Sequence, residues 1–418
     1  MTLPPLTRPT NAPTRTSATP TGLLPRRPQP RIAVVGGSLT GCTTALLLLH
    51  AGFDHVAIYE AAPDAMPRGG GLIGLEHPAL DILDRLGIDQ SEFVAYESET
   101  VWQVTVRARQ PIHTTRQLYP GRNTTWTLLH TALTTRLPAG VLHTGRRVAA
   151  LDVRNGQPVL TFGDGSREIA DVVVFADGRA STGRRLLDPH RTLRYAGYTA
   201  HRGQTTTPDT PLRDFLRLEP SGCQYNVAPI PGGLDWTFYL TCSPTDYAHH
   251  FGAPPQRRTF ALPHHVGPAA HAHVDEQAAR LLPAPHAATV HATTIRMAAP
   301  VMDIDPPTRM AWPVGRGWAV LLGDALAPVR PHTARGANNG IEQAAGLTTA
   351  LTQHHRHGAD LPAALHAWQR RHLPTVVTAI QQGAAIVAHL GLGGTATSGR
   401  TPSGRAIPST RAARREIR

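Results

Sequence analysis

The residues of this chain with the types and spacing to do chemistry fall in four groups. The first is GGSLTG at 36 to 41, followed by the strand-like HVAIYE that ends in Glu60. A turn of the form G-x-G-x-x-G brings backbone N–H groups at a helix start to a pyrophosphate, and an acid closing the next strand takes the ribose. Gly36 supplies the tight turn and Gly41 the close helix–strand approach, with Gly37, Leu39 and Thr40 completing the cradle. Ser38 replaces the middle glycine; serine is small, and its hydroxyl can donate to a phosphate at the positive end of the helix.

The second group is GDALAPVRPHTARGANNG, beginning at Gly323. Asp324 at the carboxyl end of WAVLL can accept hydrogen bonds from a polyol, and the free N–H groups of Gly336, Ala337 and Asn338 make an anion site. Between them Pro331 offers a carbonyl with no competing N–H of its own, and His332 a group that can move protons. The third group lies on strand-like YAGYTAHRG, where Tyr198, Ala200 and Arg202 share a face by period two and His201 is a second proton-handling candidate. Tyr225 in CQYNVAPI is a further candidate for ligand contact. The fourth is ADGRASTGRRLL, 176 to 187, with Asp177 beside its turn.

Other chemistries are excluded by what the chain holds. It has no lysine, so neither a Schiff-base lysine nor a P-loop lysine exists. The histidines between 249 and 291 lack metal-ligand spacing and read as solvated, and HHRHG at 354 to 358 reads the same way, so no metal site is expected. Cysteines 42, 223 and 242 form neither a disulfide framework nor a ligand set, which fits a reducing cytoplasm; Cys42 reads as a small packing residue.

Elements must position these groups. RIAVV, a helix from Ser38 to Ala51 stopped by Gly52, and HVAIYE form a βαβ unit. A helix follows over 74 to 88, with Pro78 near its start and Gly87 at its end, and another over 125 to 137. RVAALDV, PVLTFGDGSREIA and DVVVFADG read as a hairpin and a returning strand. From about 190 to 300 the pattern changes to strands with hairpin turns, a mostly antiparallel sheet inserted in an α/β fold. The expected organisation is a tail over 1–30, a nucleotide-binding domain over 31–190, a substrate-binding sheet over 191–300, the rest of the nucleotide domain with C-terminal helices over 301–392, and a basic tail over 393–418.

The net charge of +12 resides mostly in the two tails, whose Pro, Thr, Ser and Gly content argues for disorder. The body is near neutral, so nucleic acid is not the expected partner. No continuous apolar run reaches the 18 or so residues of a membrane span, and no apolar segment of secretory type precedes the first strand. A soluble, cytoplasmic protein is expected, with a homodimer as the candidate assembly.

In these motifs the chain resembles the class A FAD-dependent aromatic hydroxylases, the p-hydroxybenzoate hydroxylase-like group, and within it 2,6-dihydroxypyridine hydroxylase-like monooxygenases. GGSLTG with Glu60 matches the ADP-binding turn. ADGRASTGRRLL matches the family's second motif through Asp177, Gly178, Ser181 and Arg184, with Phe175 where glycine is usual; GDALAPVRPHTARGANNGIEQA matches the third through Gly323, Asp324, Pro331, Gly336 and Asn338. There are departures: Ala327 replaces a histidine, Ala334 a glycine, and Trp126 an arginine that contacts flavin in many members. The resemblance implies a Rossmann-like FAD-binding domain and FAD reduced by NADH or NADPH. Oxygen would then add at flavin C4a to give a hydroperoxide whose hydroxyl passes to an electron-rich aromatic or heteroaromatic ring. A flavin reductase of the same fold, like the geranylgeranyl reductases, stays open, as does a non-catalytic FAD- or nucleic-acid-binding protein. A flavin halogenase is disfavoured: that family would bring a W-x-W-x-I-P stretch and an essential lysine, and this chain has no lysine.

Overall fold

The computed structural model of the chain describes residues 28–63, 70–206, 212–219 and 222–393. Most of both arginine-bearing tails therefore lies outside the described residues.

Two large sheets organise the molecule. The first has six strands in the order Ala311–Val314, Gly317–Leu321, Val172–Phe175, Ile32–Val35, Val56–Tyr59 and Leu142–His143. All neighbours run parallel except the terminal hairpin of Ala311–Val314 with Gly317–Leu321. Val34, Ile58, Val173, Val174 and Val320 have no exposed surface, as strands covered on both faces require. Each such side chain contributes roughly 1.5–3 kcal/mol. Helix Leu39–His50 is apolar nearly all round because it is enclosed between this sheet and helix Arg335–His357.

The second sheet has seven strands, ordered Arg296–Asp303, Arg194–Thr206, Gly233–Thr241, Cys223–Ile230, Asp214–Glu219, Thr100–Arg107 and Gln110–Leu118. It is antiparallel except where Asp214–Glu219 runs parallel to Thr100–Arg107. Its last two strands come from within 31–190, so the sheet is not confined to the 191–300 insertion that hairpin patterning suggests. Helices Pro268–Leu281 and Ala284–His291 cover one face, burying Tyr225, Trp236 and Phe238 with Val274, Ala278 and Val290.

Smaller elements join the sheets. The helix expected over 74–88 is preceded by a strand, Leu72–Glu76, paired with Gly121–Thr125, and spans His77–Arg85; the next helix is Trp126–Thr134. The helix Leu361–Leu390 is long and apolar enough to cross a membrane by length and composition. Here it packs along Arg335–His357, burying Leu365, Trp368 and Val376, while Val387 and Leu390 at its end pack with Tyr198 and Tyr239 of the second sheet.

Candidate active site

A cavity of about 1040 Å³ lies between the two sheets. Its nucleotide-side wall begins at the 36–41 turn. Gly36 takes φ +105°, and a Cβ there would overlap the backbone of Ala176, while one at Gly41 would overlap the carbonyl of Gly36. These glycines let the first helix start directly behind the strand, which leaves Ser38, Leu39 and Thr40 lining the cavity. Glu60 lies beside the turn, accepting from the N–H of Gly37 (2.6 Å) and of Ala62 (2.8 Å).

The turn after Gly317–Leu321 forms the next wall. Gly323 takes φ +53° and donates its N–H to the buried Gln343 Oε1 at 2.8 Å. The buried Arg184 guanidinium donates to the carbonyls of Asp324 (3.0 Å) and Ala325 (2.8 Å). Asp324 is thus held with its side chain at the cavity, close to Gly336. Burial raises its carboxyl above the usual Asp range, and the charges of Arg179 and Arg184 pull the other way.

Arg335–His357 presents Gly336 and Ala337 to the cavity from its first turn, where N–H groups have no intrahelical acceptor. The helix begins on Ala334 at φ +54°, a left-handed conformation that glycine adopts without strain. Asn338 is fully buried and spends its side chain on backbone: it donates to Gly74 O (2.9 Å) and Ala334 O (2.6 Å) and accepts from Glu76 N (2.9 Å). It therefore ties strand Leu72–Glu76 to the helix, and its side chain does not face the cavity. Asp177 is likewise committed, accepting from Ser181 Oγ (2.5 Å) and the N–H groups of Thr182 and Gly183 at the start of Thr182–Leu187. Its carboxylate orders a helix cap, while its neighbours Gly178 and Arg179 line the cavity.

Pro331 and His332 reach the cavity on a segment anchored by Arg330, which binds Asp303 of the second sheet bidentately at 2.6 and 2.5 Å. The His332 ring donates from Nδ1 to Gln224 Oε1 (2.9 Å) and accepts at Nε2 from the Tyr198 hydroxyl (3.2 Å), a neutral tautomer. Burial, then the charge of Arg330, pushes its pKa down to about 3. His332 is consequently a fixed neutral dipole at ordinary pH. Tyr198 stands behind it, fully buried.

The second sheet supplies the facing wall, and its register sets out a row across the strands. Arg202 pairs with Thr237, Thr237 with Asn226, Asn226 with Phe215, and Phe215 with Gln103, and all five line the cavity. Arg202 Nε and Asn226 Oδ1 are buried with no hydrogen-bond partner among the described residues. A donor and an acceptor thus await a ligand two strands apart, roughly 10 Å at the backbone. Asp235, along the strand from Thr237, is held by Gln204 (3.0 Å) and pushed up to about 6 by burial, against the charge of Arg202.

Besides Tyr198, which is buried behind His332, two more expected substrate contacts lie off the cavity lining. His201 alternates with Ala200 and Arg202, so it faces away from the cavity, against Phe251, where burial lowers its pKa to about 3. Tyr225 faces the helices and packs on Trp236 and Phe238. The residues that do line the cavity are their alternates, Ala200 and Arg202 on one strand and Gln224 and Asn226 on the other, with Thr237 and Tyr239 of the strand between them. Arg179 is also a cavity residue that spacing did not single out, although a cation directly after the motif's Asp-Gly was visible.

A two-sheet architecture with a dinucleotide turn and a buried carboxylate facing a free helix N-terminus defines a flavin-dependent oxidoreductase. The FAD binding domain family model matches residues 30–382, and the chain belongs to that family. It is 32% identical over 339 residues to a 6-hydroxynicotinate 3-monooxygenase of Bordetella bronchiseptica, covering 78% of this chain and 83% of that protein. It is also 32% identical to a 3-amino-4-hydroxybenzoate 2-monooxygenase of Streptomyces cremeus, covering 77% and 78%. The solved 2,6-dihydroxypyridine-3-hydroxylase of Arthrobacter nicotinovorans superposes with TM-score 0.77 at 23% identity, over 88% of this chain and 94% of that one, and shows the fold. The protein is an FAD-dependent aromatic monooxygenase, acting on a small molecule with oxygen and a reduced nicotinamide.

Proposed function

We propose that this monooxygenase hydroxylates an electron-rich, anionic aromatic or heteroaromatic ring, held across the second sheet by Arg202 and Asn226 and presented to Pro331 and His332. The observation that carries this reading is the pair of unpartnered groups on that row: a guanidinium N–H seeking an acceptor and an amide oxygen seeking a donor. A carboxylate at Arg202 and a ring N–H, amine or hydroxyl at Asn226 match them. The names of the relatives, a hydroxynicotinate and an aminohydroxybenzoate enzyme, describe rings of that kind.

When bound, FAD supplies the redox and oxygen-activating chemistry. The residues here fit it: Gly36 and Gly41 let strand and helix approach so closely that a Cβ would overlap backbone, which leaves the N–H groups of Leu39 and Thr40 at the cavity, where they suit a pyrophosphate. Asp324 accepts from the polyol, and the first turn of Arg335–His357 favours negative charge placed against it. Pro331 O takes a hydrogen bond from the substrate hydroxyl, which raises electron density on the ring. His332, neutral and doubly bonded, holds the segment in place. NADH or NADPH is the reductant, and the compartment proposed is the cytoplasm.

The test is NAD(P)H oxidation and oxygen uptake by the FAD-loaded protein with 6-hydroxynicotinate, 3-amino-4-hydroxybenzoate and 2-hydroxypyridine. Stimulation with hydroxylated product from the acids, and little from the neutral ring, is expected. Reduced flavin that turns over without incorporating oxygen into any ring would favour the reductase reading. A preference for the neutral ring would remove Arg202 from substrate recognition.

A further inference from the structure

Serine for glycine at 38 and tryptophan for arginine at 126 look like two separate departures in sequence; the fold makes them one. Ser38 begins helix Leu39–His50 with extended backbone (φ −93°, ψ −167°), yet its side chain makes no capping bond to that helix. Its Oγ accepts instead from Trp126 Nε1 at 3.2 Å, across 88 residues of sequence. The indole is itself fixed. Its ring stacks on His130 one helical turn on, with centroids 4.4 Å apart and planes 13° apart, and its backbone N–H donates to Gly71 O at 3.3 Å. The His130 ring donates from Nε2 to Gly37 O at 2.9 Å. Two side chains of one helix thus grip two consecutive residues of the dinucleotide turn, and both Ser38 and Trp126 line the cavity.

We propose that Ser38 and Trp126 form a single neutral clamp for the FAD pyrophosphate, the indole N–H fixing the serine hydroxyl so that its one proton is donated into the cavity. A hydroxyl has one donor and two acceptor sites, so the indole fills a lone pair and leaves the O–H for a ligand oxygen. Donation into the hydroxyl also polarises it, strengthening the bond it makes in turn. The N–H groups of Leu39 and Thr40 supply further attraction. The clamp rests on the FAD-dependent reading of the chain and assigns Ser38 and Trp126 as positioning and binding residues within it.

The experiment is titration of the apoprotein with FAD, followed by flavin fluorescence, for the native chain, Ser38→Ala, Trp126→Phe and the double variant, with melting of each apoprotein as a second reading. Each single variant should bind FAD about three- to tenfold more weakly, and the double variant no more weakly than the worse single one. Apoprotein melting should change little, since alanine and phenylalanine keep the packing. Losses that multiply in the double variant, or full affinity in Ser38→Ala, overturn the clamp. If Trp126→Phe is unstable, Ser38→Ala alone still decides, because it removes only a hydroxyl. Failure of the native chain to bind FAD would instead overturn the reading beneath the proposal.

Discussion

At the residue scale, some groups face the cavity and others hold its walls in place. Asp324 belongs to the first kind: Asp324→Ala should weaken FAD binding by about 1.5–3 kcal/mol, the range for hydrogen bonds to a charged acceptor. Calorimetric titration reads this directly, and unchanged affinity removes the carboxylate from the site. Asp177 and Asn338 belong to the second kind, which their place in a motif does not reveal, because a polar side chain there can bind backbone as readily as a cofactor. His332 and Arg202 line the cavity, and in the proposed reading they align the substrate. Attack on a ring needs atoms within about 3–3.5 Å, so a loosened substrate costs hydroxylation more than reduction. His332→Ala and Arg202→Ala should keep oxidising NAD(P)H but release several times more hydrogen peroxide per product, roughly. Full coupling at native rates in both would make these residues structural.

At the element scale, the nucleotide half was legible and the substrate half only partly. Strand RIAVV, its turn and its helix carry local signals, because glycine, apolar runs and caps act within a few residues. The strand Gln110–Leu118 is exposed along its whole length, so no apolar alternation announces it; its place follows from pairing with Thr100–Arg107. Period two also fixes which residues share a face without saying which face meets the cavity. That is why the pattern puts Arg202, which lines the cavity, beside His201 and Tyr225, which do not, and passes over Gln224 and Asn226, which do. Ala334 raises a separate issue of element stability. A non-glycine residue in the left-handed region costs about 1–2 kcal/mol, partly offset by the backbone entropy that glycine would add. Ala334→Gly should therefore stabilise the protein by about 0.5–1 kcal/mol. Chemical denaturation checks this, and a loss of stability would show that the alanine methyl packs usefully at the helix start.

At the scale of the whole molecule, the charge excess and the chemistry are separate. Removing residues 1–27 and 394–418, which carry most of the excess arginines, should leave FAD affinity and turnover within about twofold, since the described lining of the cavity runs from Ser38 to Ile386. A large loss would give the tails a part in the reaction. The charges that matter lie between the sheets, and Asp235 is one whose carboxyl changes state near neutrality. Its carboxyl is pushed up to about 6 by burial, so the fold prefers it protonated. The sign follows: its stabilising contribution is complete below the ordinary Asp value of about 3.9 and is lost as pH rises through about 6. Above that, a carboxylate forms beside Arg202 and offsets the attraction of the guanidinium for an anionic ring. Affinity for 6-hydroxynicotinate, ionised throughout, should fall about three- to tenfold between pH 5 and pH 7.5, given the weak effective dielectric screening of a partly enclosed cavity. Asp235→Asn should flatten that profile and hold the low-pH affinity at pH 7.5. His332 gives no competing step there, because burial keeps it neutral down to about 3. A native profile that is flat from pH 5 to 7.5, or a step that survives in Asp235→Asn, would show that Arg202 acts independently of its buried neighbour.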